Sequence, residues 1–298
     1  MVEQVGCGIR SDCPRAYDLS EVNHSAAAAR RDATRLAAIN ARAAVQAAAA
    51  CTQTFASPWV RTLVSGAWCL HDDTLLPPHL RVCNRFNGCH HVYSGPGGNY
   101  VLPAGHVAAD GPIVRTLLGL LRRNRRNLSL YDLGAGVGQY GQALRAANSQ
   151  ISYRAFDGAG NVQQWTKGFV EWADLTRPLS LPRADWVLSL EVGEHIPHTA
   201  EKHYLANLHA HNRCGIILSW AQLFQGGTGH VNNHEPAYVA RTITSLGYTL
   251  NVDLTRSLQA DTVAFHGLGA LPWMRHTVQA FNRIEPVGRR WRGQDGGA

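Results

Sequence analysis

Past Leu128 short apolar runs alternate with amphipathic stretches. The runs predict strands over 128–133, 151–156, 168–172, 185–190 and 215–220, with two more near 248–256 and 272–283. Helices are predicted between the first five strands and after the fifth, near 138–147, 161–166, 200–211 and 234–246. Strand–helix alternation of this kind argues for a mostly parallel sheet with helices on both faces. Upstream, Ile113, Val114, Leu117, Leu118 and Leu121 recur at helical spacing and predict a helix over about 108–123. Residues 20–52 read as one long helix of Ala and Arg, with Ser20 as a cap and Glu21 in an acidic first turn. Its apolar face is small, which suits a packing arm, a stem or an oligomer contact. Residues 56–105 carry many Gly and Pro and read as irregular.

In a parallel sheet the chemistry follows the carboxyl ends of the strands. The first strand runs into Tyr131-Asp132-Leu133-Gly134-Ala135-Gly136-Val137-Gly138-Gln139-Tyr140-Gly141. A strand that turns sharply into a helix around a ligand needs glycine for unusual backbone angles and close approach. Gly136, Gly138 and Gly141 fit G-x-G-x-x-G, a dinucleotide fingerprint. Asp132, Gly134, Gly136 and Gly138 fit D-x-G-x-G-x-G instead. An acid at the strand tip repels pyrophosphate and suits a cationic ligand, which favours the second reading. Asp157, followed by Gly158, ends the second strand, where a carboxylate accepts both hydroxyls of a ribose. Trp172-Ala173-Asp174-Leu175 puts a further acid after the third strand, and Glu191-Val192-Gly193-Glu194-His195-Ile196 follows the fourth.

Taken together these stretches resemble motifs I to IV of the class I S-adenosylmethionine (SAM)-dependent methyltransferases, over about 128–260. The resemblance implies a Rossmann-like, seven-stranded α/β sheet with helices on both faces. It also implies SAM as cofactor and S-adenosylhomocysteine as product. In that reading Asp132, Gly134, Gly136, Gly138, Gln139 and Tyr140 surround the cofactor. Asp157 and Gly158 take the ribose, Asp174 and the Leu175 amide the adenine, and Glu191 the methionine end. A narrower similarity links 156–162 and 226–232 to a group of eukaryotic methyltransferase-domain proteins. There a W-C segment (here Trp68-Cys69) and an H-x-x-x-D segment (here His106 to Asp110) precede motif I. That places His106 and Asp110 over the cofactor's methionine end, and it implies no particular acceptor.

Methyl transfer is an in-line displacement, and an oxygen or ammonium acceptor also needs a base. The candidates are His230, in a glycine-rich loop after the fifth strand, with His195 and Glu194 after the fourth. Trp220, Asn232 and Asn233 are candidates to line an acceptor site. The expected reaction is methylation of a small polar molecule at O, N or S, since a segment lying over the cleft favours a closed pocket. A protein or peptide acceptor is the alternative, with a silent SAM-binding module or a NAD-linked oxidoreductase behind it.

The chain has 298 residues, 45% of them hydrophobic and 16% charged, which excludes wholesale disorder. It divides into an extension over 1–105, the sheet domain over 106–285 and a basic tail over 286–298. The net charge of +7 comes almost entirely from Arg, clustered at 122–126 and 289–292 without an interleaved run of aromatics. Nucleic acid is therefore not the expected partner. No window is long and apolar enough to span a membrane. Among fifteen His and seven Cys there is no C-x-x-C pair and no H-E-x-x-H, so no metal is expected. Six of the cysteines precede residue 90. They read either as free thiols of a cytoplasmic protein or as disulfides of a secretory one whose targeting segment is missing; residues 1–10 lack a signal peptide's apolar core.

Overall fold

The computed structural model describes residues 25–53, 91–95, 98–102, 108–122, 128–227, 229–260 and 271–284. His106, Ser20, the W-C segment and the basic tail lie outside them. Helix α1 (Ser25–Gln53) comes first, then strands β1 (His91–Gly95) and β2 (Gly98–Leu102) and helix α2 (Gly111–Leu121). Next are β3 (Ser129–Leu133), α3 (Gln139–Ala147), β4 (Ser152–Asp157), α4 (Val162–Trp165), β5 (Val170–Trp172) and β6 (Ala184–Ser189). After two short 3-10 turns come α5 (Glu201–Ala210), β7 (Asn212–Leu218), α6 (Pro236–Ser245) and β8 (Tyr248–Leu250). The chain closes with α7 (Val252–Leu258), α8 (Met274–Thr277) and β9 (Gln279–Arg283). None of the described helices is long and apolar enough to cross a membrane.

Seven strands form one sheet in the order β5-β4-β3-β6-β7-β9-β8. The first five run parallel, while β9 lies antiparallel between β7 and β8. The two-face burial is visible residue by residue. Leu130, Leu188 and Ile217 join the α2, α3 and α7 side; Tyr131, Val187, Ile216 and Leu218 join the α5 and α6 side. Adjacent residues of one strand thus enter opposite cores, which is why the runs are apolar throughout rather than alternating. Each fully buried Leu or Ile contributes about 1.5–3 kcal/mol. Helix α1 joins the first core through Ala43 and Ala47, one helical turn apart, so its small apolar face packs on the domain.

Three expectations need correction. Residues 91–95 and 98–102, read as irregular, pair as antiparallel strands, His91 with Leu102 and Gly95 with Gly98. The strand expected over 248–256 stops at Leu250, because Asn251 accepts a hydrogen bond from the Leu254 amide at 2.9 Å and starts α7. The strand expected over 272–283 begins only at Gln279, after the single turn of α8. Cys214, on β7, is disulfide-bonded.

Candidate active site

The glycine turn links β3 to α3. Gly134, Gly136 and Gly138 all have positive φ, at 87°, 57° and 77°. At Gly134 a Cβ would lie 2.3 Å from the Val192 side chain, and at Gly138 it would meet the Phe169 ring at 2.6 Å. Glycine is thus required both by the backbone and by its neighbours. The amides of Gly134 and Ala135 donate to the Phe156 carbonyl, and the Gly136 amide donates to Asp157 Oδ2 at 2.8 Å. Asp157 Oδ1 accepts from the Ala159 amide, also at 2.8 Å. The carboxylate at the end of β4 therefore fixes the turn after β3. Each of its oxygens keeps lone-pair capacity for a further donor.

Asp132 and Asp174 sit deeper. Asp132 is buried beneath the turn and accepts from the Tyr153 hydroxyl at 2.7 Å. Burial pushes its pKa up to about 7; the Tyr153 bond opposes the rise and the charge of Asp157 adds to it. Asp174 is 2% exposed. Its Oδ1 accepts from the amide and hydroxyl of Thr176, at 2.9 and 2.6 Å. Its Oδ2 has no hydrogen bond, although Arg177 Nε stands 3.5 Å away. Leu175 is buried beside it. Gly158 accepts from the Trp172 indole through its carbonyl. Gln139 opens α3, and the Tyr140 hydroxyl accepts from the Asp110 amide at 3.1 Å.

Asp110 itself is committed elsewhere. One oxygen caps α2 through the Ile113 amide at 2.9 Å, and the other accepts from the Leu271 amide at 2.6 Å. The carboxylate placed over the cofactor by resemblance is a helix cap that also pins residue 271. Burial raises its pKa against the opposing effect of these bonds.

On the other side of the cleft, Glu191 has φ 55°, a strained angle for a non-glycine residue. Its amide donates to Ser219 Oγ, and that hydroxyl donates back to Glu191 Oε1, both at 2.8 Å. Gln225 reaches Glu191 Oε2 at 3.3 Å. Burial raises the Glu191 pKa, and the two side-chain bonds hold part of that rise back. Glu194 lies on a 3-10 turn, is 0% exposed, and neither carboxylate oxygen has a hydrogen bond of good geometry. Burial, then the charge of Glu191, push its pKa up to about 8, while its own amide and that of Ala221 offset part of the rise.

The His195 and His230 rings meet edge to face, with centroids 5.0 Å apart. His230 Nδ1 lies 3.2 Å from the Gln225 carbonyl, and burial lowers its pKa against that bond. One donor atom from each of Glu194, His195 and His230 lies within 4.8 Å of the other two. A Cβ on Gly227 would sit 2.0 Å from His230 Nε2, so this glycine makes room for the ring.

The three residues assigned to an acceptor wall are used inside the protein. Trp220 is buried against Tyr204, His234 and Gly193, and its indole donates to the Asn232 carbonyl. Asn232 donates to Glu201 Oε2 at 2.8 Å, and Asn233 to the carbonyls of Gln222 and Gln225 at 2.7 and 3.0 Å. Their bonds shape the loop that carries His230. Glu201, which sequence reasoning passed over, organises that loop. It accepts from Asn232, Tyr238 (2.6 Å) and His234 (2.9 Å). Burial raises its pKa, but these bonds outweigh it and hold the carboxyl below the usual range. A Glu at a helix start has no local signature of that role.

The strand order, with one antiparallel strand inserted beside β7, is the class I methyltransferase fold. The open dinucleotide-binding sheet is mostly parallel, in the order 3-2-1-4-5-6. No family model and no curated protein matches the sequence. Among solved structures, the chain is similar to magnesium protoporphyrin IX methyltransferase from Synechocystis PCC 6803 with bound S-adenosylhomocysteine. The identity is 17% over 57% of this chain and 81% of that one, with a TM-score of 0.40. It is likewise similar to the 1,6-didemethyltoxoflavin-N1-methyltransferase of Burkholderia thailandensis. There the identity is 16% over 59% and 80%, with a TM-score of 0.39. The fold assignment rests on the strand order and on the turn after β3.

Proposed function

We propose that the protein is a SAM-dependent methyltransferase acting on a small polar acceptor. The observation that carries this reading is the glycine turn fixed by Asp157, beside a buried Asp174 whose Oδ2 has no hydrogen bond. That oxygen has only the long ion pair to Arg177, at 3.5 Å, and an exocyclic amine at that place would supply a hydrogen-bond donor. Asp157 offers its remaining lone pairs to two ribose hydroxyls. The positive φ values of the turn let the backbone approach a ligand that a Cβ would hold away. SAM, when bound, supplies a methyl carbon already activated by its sulfonium.

Everything else falls to the chain's own residues. Asp132 and Glu191 put negative charge on the two sides of the turn, where a cationic ligand relieves the cost of their burial. The loop of residues 221–234 is tied to the 3-10 turn by the Val231 and Asn232 amides, which donate to the Glu194 carbonyl at 2.8 and 3.0 Å. It therefore holds His230 against His195 at a fixed angle. An acceptor between that pair and the glycine turn is aligned with the methyl carbon.

Calorimetry tests the reading. SAM and S-adenosylhomocysteine are expected to bind at micromolar level and NAD not at all. Binding of NAD instead, or of none of the three, ends the proposal. Incubation with isotope-labelled SAM and a metabolite extract then identifies the acceptor by the mass that gains label. A label found only on protein favours the peptide alternative. The bonded state of Cys214 supports an oxidising compartment.

A further inference from the structure

Glu194 is the least compensated group among the described residues near the cleft. It is fully buried, its oxygens have only weak contacts with its own amide and that of Ala221 and no hydrogen bond of good geometry, and the Glu191 carboxylate is close enough to repel it. Removing a carboxylate from water without a partner is costly, and buried charges are normally paired or bound to metal. Two imidazoles stand beside it, with one donor atom from each residue within 4.8 Å of the others. A four-coordinate divalent ion with ligands about 2.0–2.2 Å away spaces its donors by roughly 3–3.5 Å, within reach of small side-chain rotations. His230 also has a metal ligand's second bond. A carbonyl only accepts, so the Nδ1 contact to the Gln225 carbonyl puts the proton on Nδ1 and leaves the lone pair on Nε2.

We propose that Glu194, His195 and His230 form a divalent-cation site on the acceptor side of the cleft. Two imidazoles and one carboxylate suit borderline Zn2+ best, then the harder Mn2+, and Mg2+, which prefers oxygen ligands, least. Three protein ligands leave at least one coordination position open. This revises the sequence-based expectation that no metal is bound. The spacing rules searched for adjacent pairs, whereas these ligands come from a turn after β6 and a loop after β7.

The consequence for chemistry rests on the methyltransferase reading. An acceptor hydroxyl in the open position loses its proton to solvent water more readily, because a bound cation lowers its pKa. The oxygen lone pair then forms the bond to the methyl carbon. The carbon–sulfur bond breaks with its electron pair going to sulfur, which becomes a neutral thioether. The site thereby narrows the acceptor class from O, N or S to a hydroxyl compound.

The cluster of His198, Glu201 and His234 provides an internal control. Glu201 there already accepts three side-chain hydrogen bonds and has no comparable need of a cation. The full chain is stripped with a chelator and titrated with Zn2+, Mn2+ and Mg2+ by calorimetry, with metal counted by mass spectrometry. Zn2+ or Mn2+ is expected to bind at one equivalent. Glu194→Gln and His230→Ala should each weaken it at least tenfold, and His198→Ala, at an exposed residue of the control cluster outside that loop, should leave it unchanged. Thermal melting controls for folding. Metal-free Glu194→Gln should melt no lower than the native protein, since it loses a buried unpaired carboxylate, yet should lack the native rise in melting temperature with Zn2+. Less than one equivalent on the native chain, or equal loss in His198→Ala and His230→Ala, overturns the site. SAM calorimetry separates the two readings. Metal binding without SAM binding leaves the site standing and removes only its role in methyl transfer.

Discussion

The two sides of the cleft are built on opposite principles. On the cofactor side most polar groups are matched within the protein: Asp157 ties two amides, Asp132 takes the Tyr153 hydroxyl, and Thr176 holds one oxygen of Asp174. On that side Asp174 Oδ2 lacks a hydrogen bond and faces the Arg177 guanidinium 3.5 Å away. On the acceptor side Glu194 is buried with neither oxygen bonded, and Glu191 keeps a strained backbone. The first arrangement is a preformed mould. The second stores unfavourable free energy that a ligand relieves, which is where strain and buried charge are expected in an active site.

Breaking the mould should have the largest effect. Asp157→Ala removes the proposed ribose acceptor and frees the Gly136 and Ala159 amides at once. Hydrogen bonds to a charged group contribute about 1.5–3 kcal/mol each, so SAM affinity should fall about a hundredfold or more by calorimetry. An unchanged affinity would show that the nucleoside sits elsewhere. Gly134→Ala attacks the same mould through the backbone. It combines positive φ with a Cβ pressed into Val192, and should cost about 2 kcal/mol of stability in denaturant unfolding.

The mould was legible in the sequence because its parts are local. Gly134, Gly136 and Gly138 are consecutive punctuation after a strand, and Asp157, Asp174 and Glu191 each follow a strand end, where topology places ligands. The acceptor side was legible only as a set of names. His195 and His230 are brought edge to face by the turn after β6 and the loop after β7, and nothing in either local stretch announces the other. The bonds Asp110 makes were illegible for the same reason: its second partner, Leu271, is contributed by a distant segment. Leu250, Val252 and Leu254 alternate with polar residues and imitate a strand. The deciding signal was the cap at Asn251 with Asp253 in the first turn, which pattern alone outweighed.

Glu201 sharpens the comparison, since it is the well-matched carboxylate of the acceptor side. Its folded pKa is depressed below the unfolded value of 4.5. The stability it contributes is therefore fully present above about pH 4.5 and is lost as pH falls through the lower folded value. Glu201→Gln keeps one acceptor oxygen but points an amide at the donors of Tyr238 or His234. It should cost about 1–2 kcal/mol at pH 7, and the gap from the native protein should close in unfolding curves at more acidic pH. A gap independent of pH would mean that shape, not charge, holds the loop.

The smallest effect is expected at Gly227, and it isolates the acceptor side. Its φ is not in the left-handed region, so alanine there meets only the His230 ring, 2.0 Å from the new Cβ. A ring on a side chain can rotate away at a cost of about 1 kcal/mol, so stability should barely change. SAM affinity should stay within about twofold, because the glycine turn and its acids are untouched. Turnover should fall severalfold, as His230 no longer meets His195 at the native angle. If Gly227→Ala weakened SAM binding as much as turnover, the two sides of the cleft would be one coupled unit. Measuring cofactor affinity and turnover on the same preparation decides between these outcomes.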